Sequence, residues 1–139
     1  MGLDPIAFDI ETSGLDDDAV ITVAGFAHSI GVSLILNVDD RDADHAALVN
    51  KLEYHANGTV SLEIADDEQE LLEAVSEIAT SQIDGDRHYL TCYNGETWNG
   101  GFDLPFCRTR FLNHDMDWPF DDLAYADMME AIVVISITY

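Results

Sequence analysis

Two carboxylates stand two residues apart in the segment Pro5-Ile6-Ala7-Phe8-Asp9-Ile10-Glu11. The segment is mostly apolar and rich in strand formers, so it reads as a strand. Side chains alternate across a strand, which sends Asp9 and Glu11 to one face and Phe8 and Ile10 to the other. Two acids side by side in an apolar strand are costly unless a cation neutralises them. Their oxygen donors suit hard cations such as Mg²⁺ or Mn²⁺. A third acid, Asp103, follows a strand and a glycine-rich loop and precedes Leu104-Pro105 at the start of a predicted helix. Ordinary explanations compete. Chance Asp-x-Glu pairs are common in so acidic a chain, and Asp is a good N-cap with Pro welcome in the first turn. A cation shared by all three acids would require Asp103 to converge with Asp9 and Glu11 at one sheet edge.

The elements that must bring them together follow from the apolar pattern. Residues 19–28 and 31–38 read as second and third strands, and the short link Ser29-Ile30-Gly31 makes them an antiparallel hairpin. Residues 39–64 admit two readings. In the preferred one, Asp44 caps a short helix through Leu48 and Leu52, Gly58 ends it, and an edge strand follows at 59–64. In the other, Asn57-Gly58 is a hairpin turn. The clearest helix spans 67–82, with Asp66 as its cap and Leu71, Leu72, Val75, Ile78 and Ala79 on one face. A strand at 88–93, the loop Asn94–Gly101, a helix from Asp103 to about Asn113 and a strand at 123–129 complete the order. Three antiparallel strands followed by helix–strand–helix–strand predict an α/β fold: a mixed sheet with helices on its faces.

The chain of 139 residues predicts one domain, spanning 1–139, and 47% hydrophobic residues suffice for one core. No apolar run reaches the roughly 18 residues of a membrane helix. Met1-Gly2-Leu3-Asp4-Pro5 has no basic region followed by a long apolar stretch, which argues against a secretory signal and for a cytoplasmic protein. Asp and Glu number 28 against 5 Lys and Arg, a formal net charge of −23. Such a surface repels a nucleic acid backbone at low salt. In concentrated salt, screening shrinks to roughly 3 Å at about 1 M and surface carboxylates keep a protein soluble. The composition resembles that of haloarchaeal cytoplasmic proteins, and on that reading the acidity reports the solvent rather than the partner. Cys92 and Cys107 show no CxxC spacing and are expected as reduced core thiols. Arg108 and Arg110 invite a phosphate-binding reading, but pairing with nearby acids is the preferred one.

The combination of acidic motifs carries a resemblance. Phe8-Asp9-Ile10-Glu11-Thr12-Ser13-Gly14-Leu15 closely resembles the first motif of the DEDD 3′–5′ exonuclease superfamily, which has a ribonuclease-H-like fold and includes polymerase proofreading domains. Asn99-Gly100-Gly101-Phe102-Asp103-Leu104-Pro105-Phe106 resembles its second motif. The setting from Tyr93-Asn94-Gly95 to Arg108 looks most like the branch found in archaeal polymerase proofreading domains. The resemblance implies hydrolysis of single-stranded or 3′-end DNA or RNA with two divalent cations, Mg²⁺ or Mn²⁺. It implies that Asp9 bridges both ions, Glu11 binds one and Asp103 completes the second site. It places the Thr12–Gly14 backbone and Phe102 near the substrate and makes Leu15 a wedge against the terminal bases, core packing being the alternative for Leu15. The motif's positioning Asn is Asn94 by its neighbour Tyr93 and Asn99 by its spacing; both remain open.

The sequence departs from the family at the third motif. Neither Tyr-x-x-x-Asp nor His-x-x-x-x-Asp occurs after Asp103, so the helix that supplies the fourth carboxylate is expected to be missing from this chain. Asp127 resembles the end of the strand that follows the second motif instead. Three explanations are open: a truncated product, a degenerate relative without activity that binds nucleic acid or protein, or a site completed by a partner. The apolar tail Ile132-Val133-Val134-Ile135-Ser136-Ile137 would serve as an association surface, for a second copy or another protein, if exposed.

Overall fold

The computed structural model describes residues 2–56, 58–92 and 102–128. They form one six-stranded sheet in the order β4-β3-β2-β1-β5-β6. β1 (Asp4–Thr12), β2 (Ile21–His28) and β3 (Gly31–Asn37) make an antiparallel meander. α1 (His45–Ala56) leads to β4 (Val60–Ala65), which lies parallel to β3 at the sheet edge. α2 (Glu68–Gln82) crosses to β5 (His88–Cys92), parallel to β1. α3 (Asp103–Asn113) then leads to β6 (Ala124–Asp127), parallel to β5. The fold is α/β with a mixed sheet and antiparallel first strands, the order expected from the pattern of apolar segments. Among the described residues, no helix is long and apolar enough to cross a membrane. The apolar tail from Ile132 lies outside the described residues.

The ambiguous stretch 39–64 adopts the helix and edge strand. A parallel β3–β4 pair cannot be closed by a two-residue turn and needs a crossover, which α1 supplies. Asp44 Oδ1 accepts the Ala47 N–H at 3.1 Å and caps the helix. The His45 ring Nε2 contacts the Leu62 carbonyl at 2.7 Å and ties α1 to the edge strand. The cap of α2 is one residue later than predicted. Asp67, in an extended conformation, accepts the Glu70 N–H at 2.8 Å, while Asp66 donates its N–H to the Glu70 carboxylate, also at 2.8 Å. The two acids share one capping device, and only Asp67 has the geometry to reach into the first turn. Replacing Asp67 by Ala should cost about 1 kcal/mol. A denaturant titration comparing Asp67→Ala with Asp66→Ala would rank the two, and a larger loss in Asp66→Ala would contradict the assignment.

The core forms on the Phe8 face of the sheet. Ile6, Phe8 and Ile10 of β1 pack with Ala24 and Phe26 of β2, Ile35 of β3, Leu71, Leu72 and Val75 of α2, and Leu104, Cys107 and Phe111 of α3. Phe8 meets the rings of Phe26 and Phe120 at centroid distances of 5.0 and 5.2 Å. Helices are expected on the faces of the sheet, whereas α2 and α3 both pack into the core on a single face. The reason is the alternation in β1: its even positions are large and apolar, so both apolar helical stripes are drawn to them. The opposite face presents Ala7, Asp9 and Glu11 beside Val23, Gly25, Ala27, Val32 and Leu34, around a shallow cavity of about 190 Å³.

Candidate functional site

Asp9 and Glu11 lie on the same face of β1, both exposed, as the strand period requires. The β1–β2 register then shifts. Glu11 pairs with Val23 but Thr12 pairs with Ile21, so Thr22 is an extra residue on β2. Bulges of this kind re-aim a strand locally. Thr22 Oγ1 donates to the Glu11 carbonyl at 3.1 Å and fixes the bulge beside the acid. Gly25 pairs with Asp9 across the ladder, and a Cβ there would stand 3.0 Å from the Leu34 side chain. Glycine thus leaves room for the Leu34 side chain on the face that carries Asp9.

Asp103 is the first residue of α3. The competing explanation, that it caps the helix, does not hold: Phe102 occupies the cap position, with no side-chain cap hydrogen bond, and Asp103 is inside the first turn. Its carboxyl turns to β1 instead, beside the Asp9 carboxyl and near the Ile10 N–H. Among the described residues, β1 pairs with β5 from Asp4–His88 to Ala7–Thr91. Burial is the largest of the causes that together push the Asp103 carboxyl up from 3.8 to about 7. The hydrogen bond to Asp9 and the charge of Asp9 add to the rise, Glu11 adds further repulsion, and the Ile10 N–H opposes it. Two acids this close cannot both ionise cheaply without a counter-charge.

The oxygen donor set suits a hard divalent cation. A finished cage is a stricter requirement. Among the described residues, no three His, Cys, Asp or Glu side chains are gathered as an ion-binding group. What the fold brings together is the touching pair Asp9–Asp103, with Glu11 near enough to act on it electrostatically. The residues fit a cation in chemistry and neighbourhood, and a bound ion would have to replace the Asp9–Asp103 hydrogen bond.

The flanking positions are arranged as follows. Thr12 Oγ1 donates to the Gly14 carbonyl at 2.6 Å, and the Val20 N–H donates to Ser13 Oγ at 3.0 Å, which closes the turn after β1. Leu15 is 85% exposed, so the core alternative for it is excluded. Phe102 is half-buried and stacks on Phe106 at 4.9 Å. Asn94 and Asn99 lie outside the described residues. Arg108 lies over the Trp118 ring, 4.9 Å from its centroid. Cys92 and Cys107 are free and buried. Burial, with Asp103, Asp127 and Asp9 nearby, pushes the Cys92 thiol up to about 12, so it is no nucleophile at neutral pH.

Two acids were not singled out by sequence reasoning as members of this neighbourhood. Asp127 is buried at the end of β6, opposite Cys92 in the ladder, and accepts from Tyr125 Oη at 2.9 Å. Glu68 is 6% exposed at the start of α2. Its carboxylate accepts from the Ile21 N–H at 2.7 Å and from Arg110 Nε and Nη2 at 2.9 and 2.6 Å, and it contacts His114 Nε2 at 2.9 Å. Arg110 therefore pairs with an acid, the preferred expectation. The signal for Glu68 was present: it is in phase with Leu71, Leu72, Val75 and Ala79 on the buried stripe.

Searched against protein-family models and against curated proteins, the chain finds no match.

Proposed function

We propose that this chain is a ribonuclease-H-like 3′–5′ exonuclease domain of the DEDD type, acting on DNA or RNA with Mg²⁺ or Mn²⁺. The observation that carries the reading is the contact of Asp103 with Asp9. Acids from the first strand and the third helix meet at the C-terminal end of β1, the neighbourhood that the two motif resemblances require. The antiparallel first strands and the later crossover helices support the same reading. Asp9, Glu11 and Asp103 would hold the ions. When bound, these supply an activated water and stabilise the leaving oxygen of a phosphodiester. The chain's own part is to aim three carboxylates from one strand and one helix end. The Thr12–Gly14 turn and the exposed Leu15 flank the place for a 3′ terminus.

A second reading is a non-catalytic module of the same fold that binds nucleic acid or protein. Among the described residues no three acids are gathered as an ion-binding group, which favours it. End-labelled single-stranded DNA and RNA, incubated with Mn²⁺ in concentrated KCl, separate the two. The exonuclease reading expects stepwise shortening from the 3′ end that Asp9→Ala abolishes. Binding without shortening supports the module. Neither binding nor shortening, with no uptake of Mn²⁺, would overturn both. The high salt matters, because the net charge of −23 opposes a polyanion unless screened.

A further inference from the structure

Glu68 takes no part in the chemistry proposed above, yet it is the most heavily hydrogen-bonded acid among the described residues. It joins three elements. It begins α2, it accepts the N–H of Ile21 at the start of β2, and it binds Arg110 of α3 and His114 at the C-cap of that helix. The backbone of Ile21 is held on its other side too, since Asn37 Nδ2 donates to its carbonyl at 3.1 Å. Ile21 pairs with Thr12, the residue after Glu11. On α3, Asp103, Cys107, Arg110 and His114 follow one another at helical spacing, so they share the face turned to the sheet. Cys107 between them is fully buried and feels the charge of both Asp103 and Glu68.

α3 is therefore attached to the β1–β2 pair at two points. One is Asp103 on Asp9 and Ile10. The other is Arg110, through Glu68, on Ile21. Seven helical residues rise about 10 Å. Two strand steps from Ile10 to Thr12 cover about 7 Å. The two spans are close enough that fixing the second attachment restricts where the first can sit. We propose that Glu68 is a positioning residue: through Arg110 it sets the placement of α3 and so holds Asp103 against Asp9 and Ile10. The consequence for ion binding rests on the function proposed above; the placement itself does not.

The test uses the full chain with Glu68→Met and Arg110→Met combined. Replacing a buried ion pair by apolar side chains of similar volume is commonly neutral or stabilising, so the double variant is expected to fold. Amide hydrogen exchange at Ile10 reads the placement of Asp103, because that carboxyl lies near enough to interact with the Ile10 N–H. Exchange at Ile10 should quicken by about tenfold, the scale of one lost hydrogen bond to a charged group. Amides of the β2–β3 ladder, such as Ile35, should be unchanged. Mn²⁺ affinity should fall about 10- to 100-fold, as for other residues that orient ligands. Unchanged protection at Ile10 in the folded double variant, or an unprotected Ile10 in the parent chain, would overturn the proposal. Should the double variant fail to fold, Glu68→Gln, which keeps shape and removes charge, is read at Ile10 in the same way. A parent chain that takes up no Mn²⁺ removes the nuclease reading and leaves the Ile10 result to decide the positioning role.

Discussion

At pH 8 without divalent cations, the Asp103→Asn chain should unfold at a higher temperature than the parent, and at pH 4 the two should unfold nearly together. The Asp103 carboxyl is raised from 3.8 to about 7 by burial and by Asp9. A raised carboxyl contributes stability that is complete below its unfolded value and is lost as the pH climbs to its folded value. Between about 3.8 and 7 the parent loses this contribution. Asn carries no charge at any pH, can still accept from Ile10 and can donate to Asp9, so the variant keeps it. The remaining acids are common to both chains, and the difference between the two melting curves isolates Asp103. Mn²⁺ should then raise the melting temperature of the parent at pH 8 and leave Asp103→Asn nearly unmoved, because an ion that binds only the folded state stabilises by mass action. Cleavage should be lost in the same variant. Melting curves that stay parallel from pH 4 to pH 8 would mean that Asp103 does not face Asp9 in solution.

Arg110→Met should be the most damaging single change outside the acidic cluster. Side-chain exposures are 14% for Arg110 and 5% for Glu68, so removing the guanidinium strands a carboxylate that water barely reaches. Breaking a buried pair from one side costs about 3–5 kcal/mol. For a domain of this size that corresponds to roughly 10–20 °C in melting temperature. The pH dependence has the opposite sign to that of Asp103. Burial alone would raise the Glu68 carboxyl, but Arg110, the Ile21 N–H and His114 together hold it below its usual 4.5. A depressed carboxyl contributes stability above its unfolded value and loses it as the pH falls. The parent should therefore weaken from this group below about pH 4.5, and the Glu68→Met, Arg110→Met double variant should lack that component. Chemical denaturation at pH 7 and pH 3 measures both effects. A single Arg110→Met variant as stable as the double would show that His114 and the Ile21 N–H satisfy Glu68 unaided.

What the sequence by itself determined is the part of this protein governed by short-range periodicity. Asp9 and Glu11 share a face because a strand repeats every two residues. The apolar stripe of α2 and the start of α3 at Asp103 follow from helical spacing and from the residues flanking each helix. Tertiary structure decided whatever depends on partners distant along the chain. Asp103 looks like a cap when only its neighbours are considered, yet Phe102 takes the cap position and the Asp103 carboxyl faces Asp9 of β1. Glu68 looks like an ordinary first-turn acid, yet it is buried because Arg110, His114 and the Ile21 N–H are waiting at that point. The bulge at Thr22, which shifts the strand beside Glu11, leaves no mark in the apolar pattern of β2. Local torsional preference sets which element each residue joins. Which polar groups end up facing one another is set by sheet register and helix placement, and those are settled only when the whole core packs.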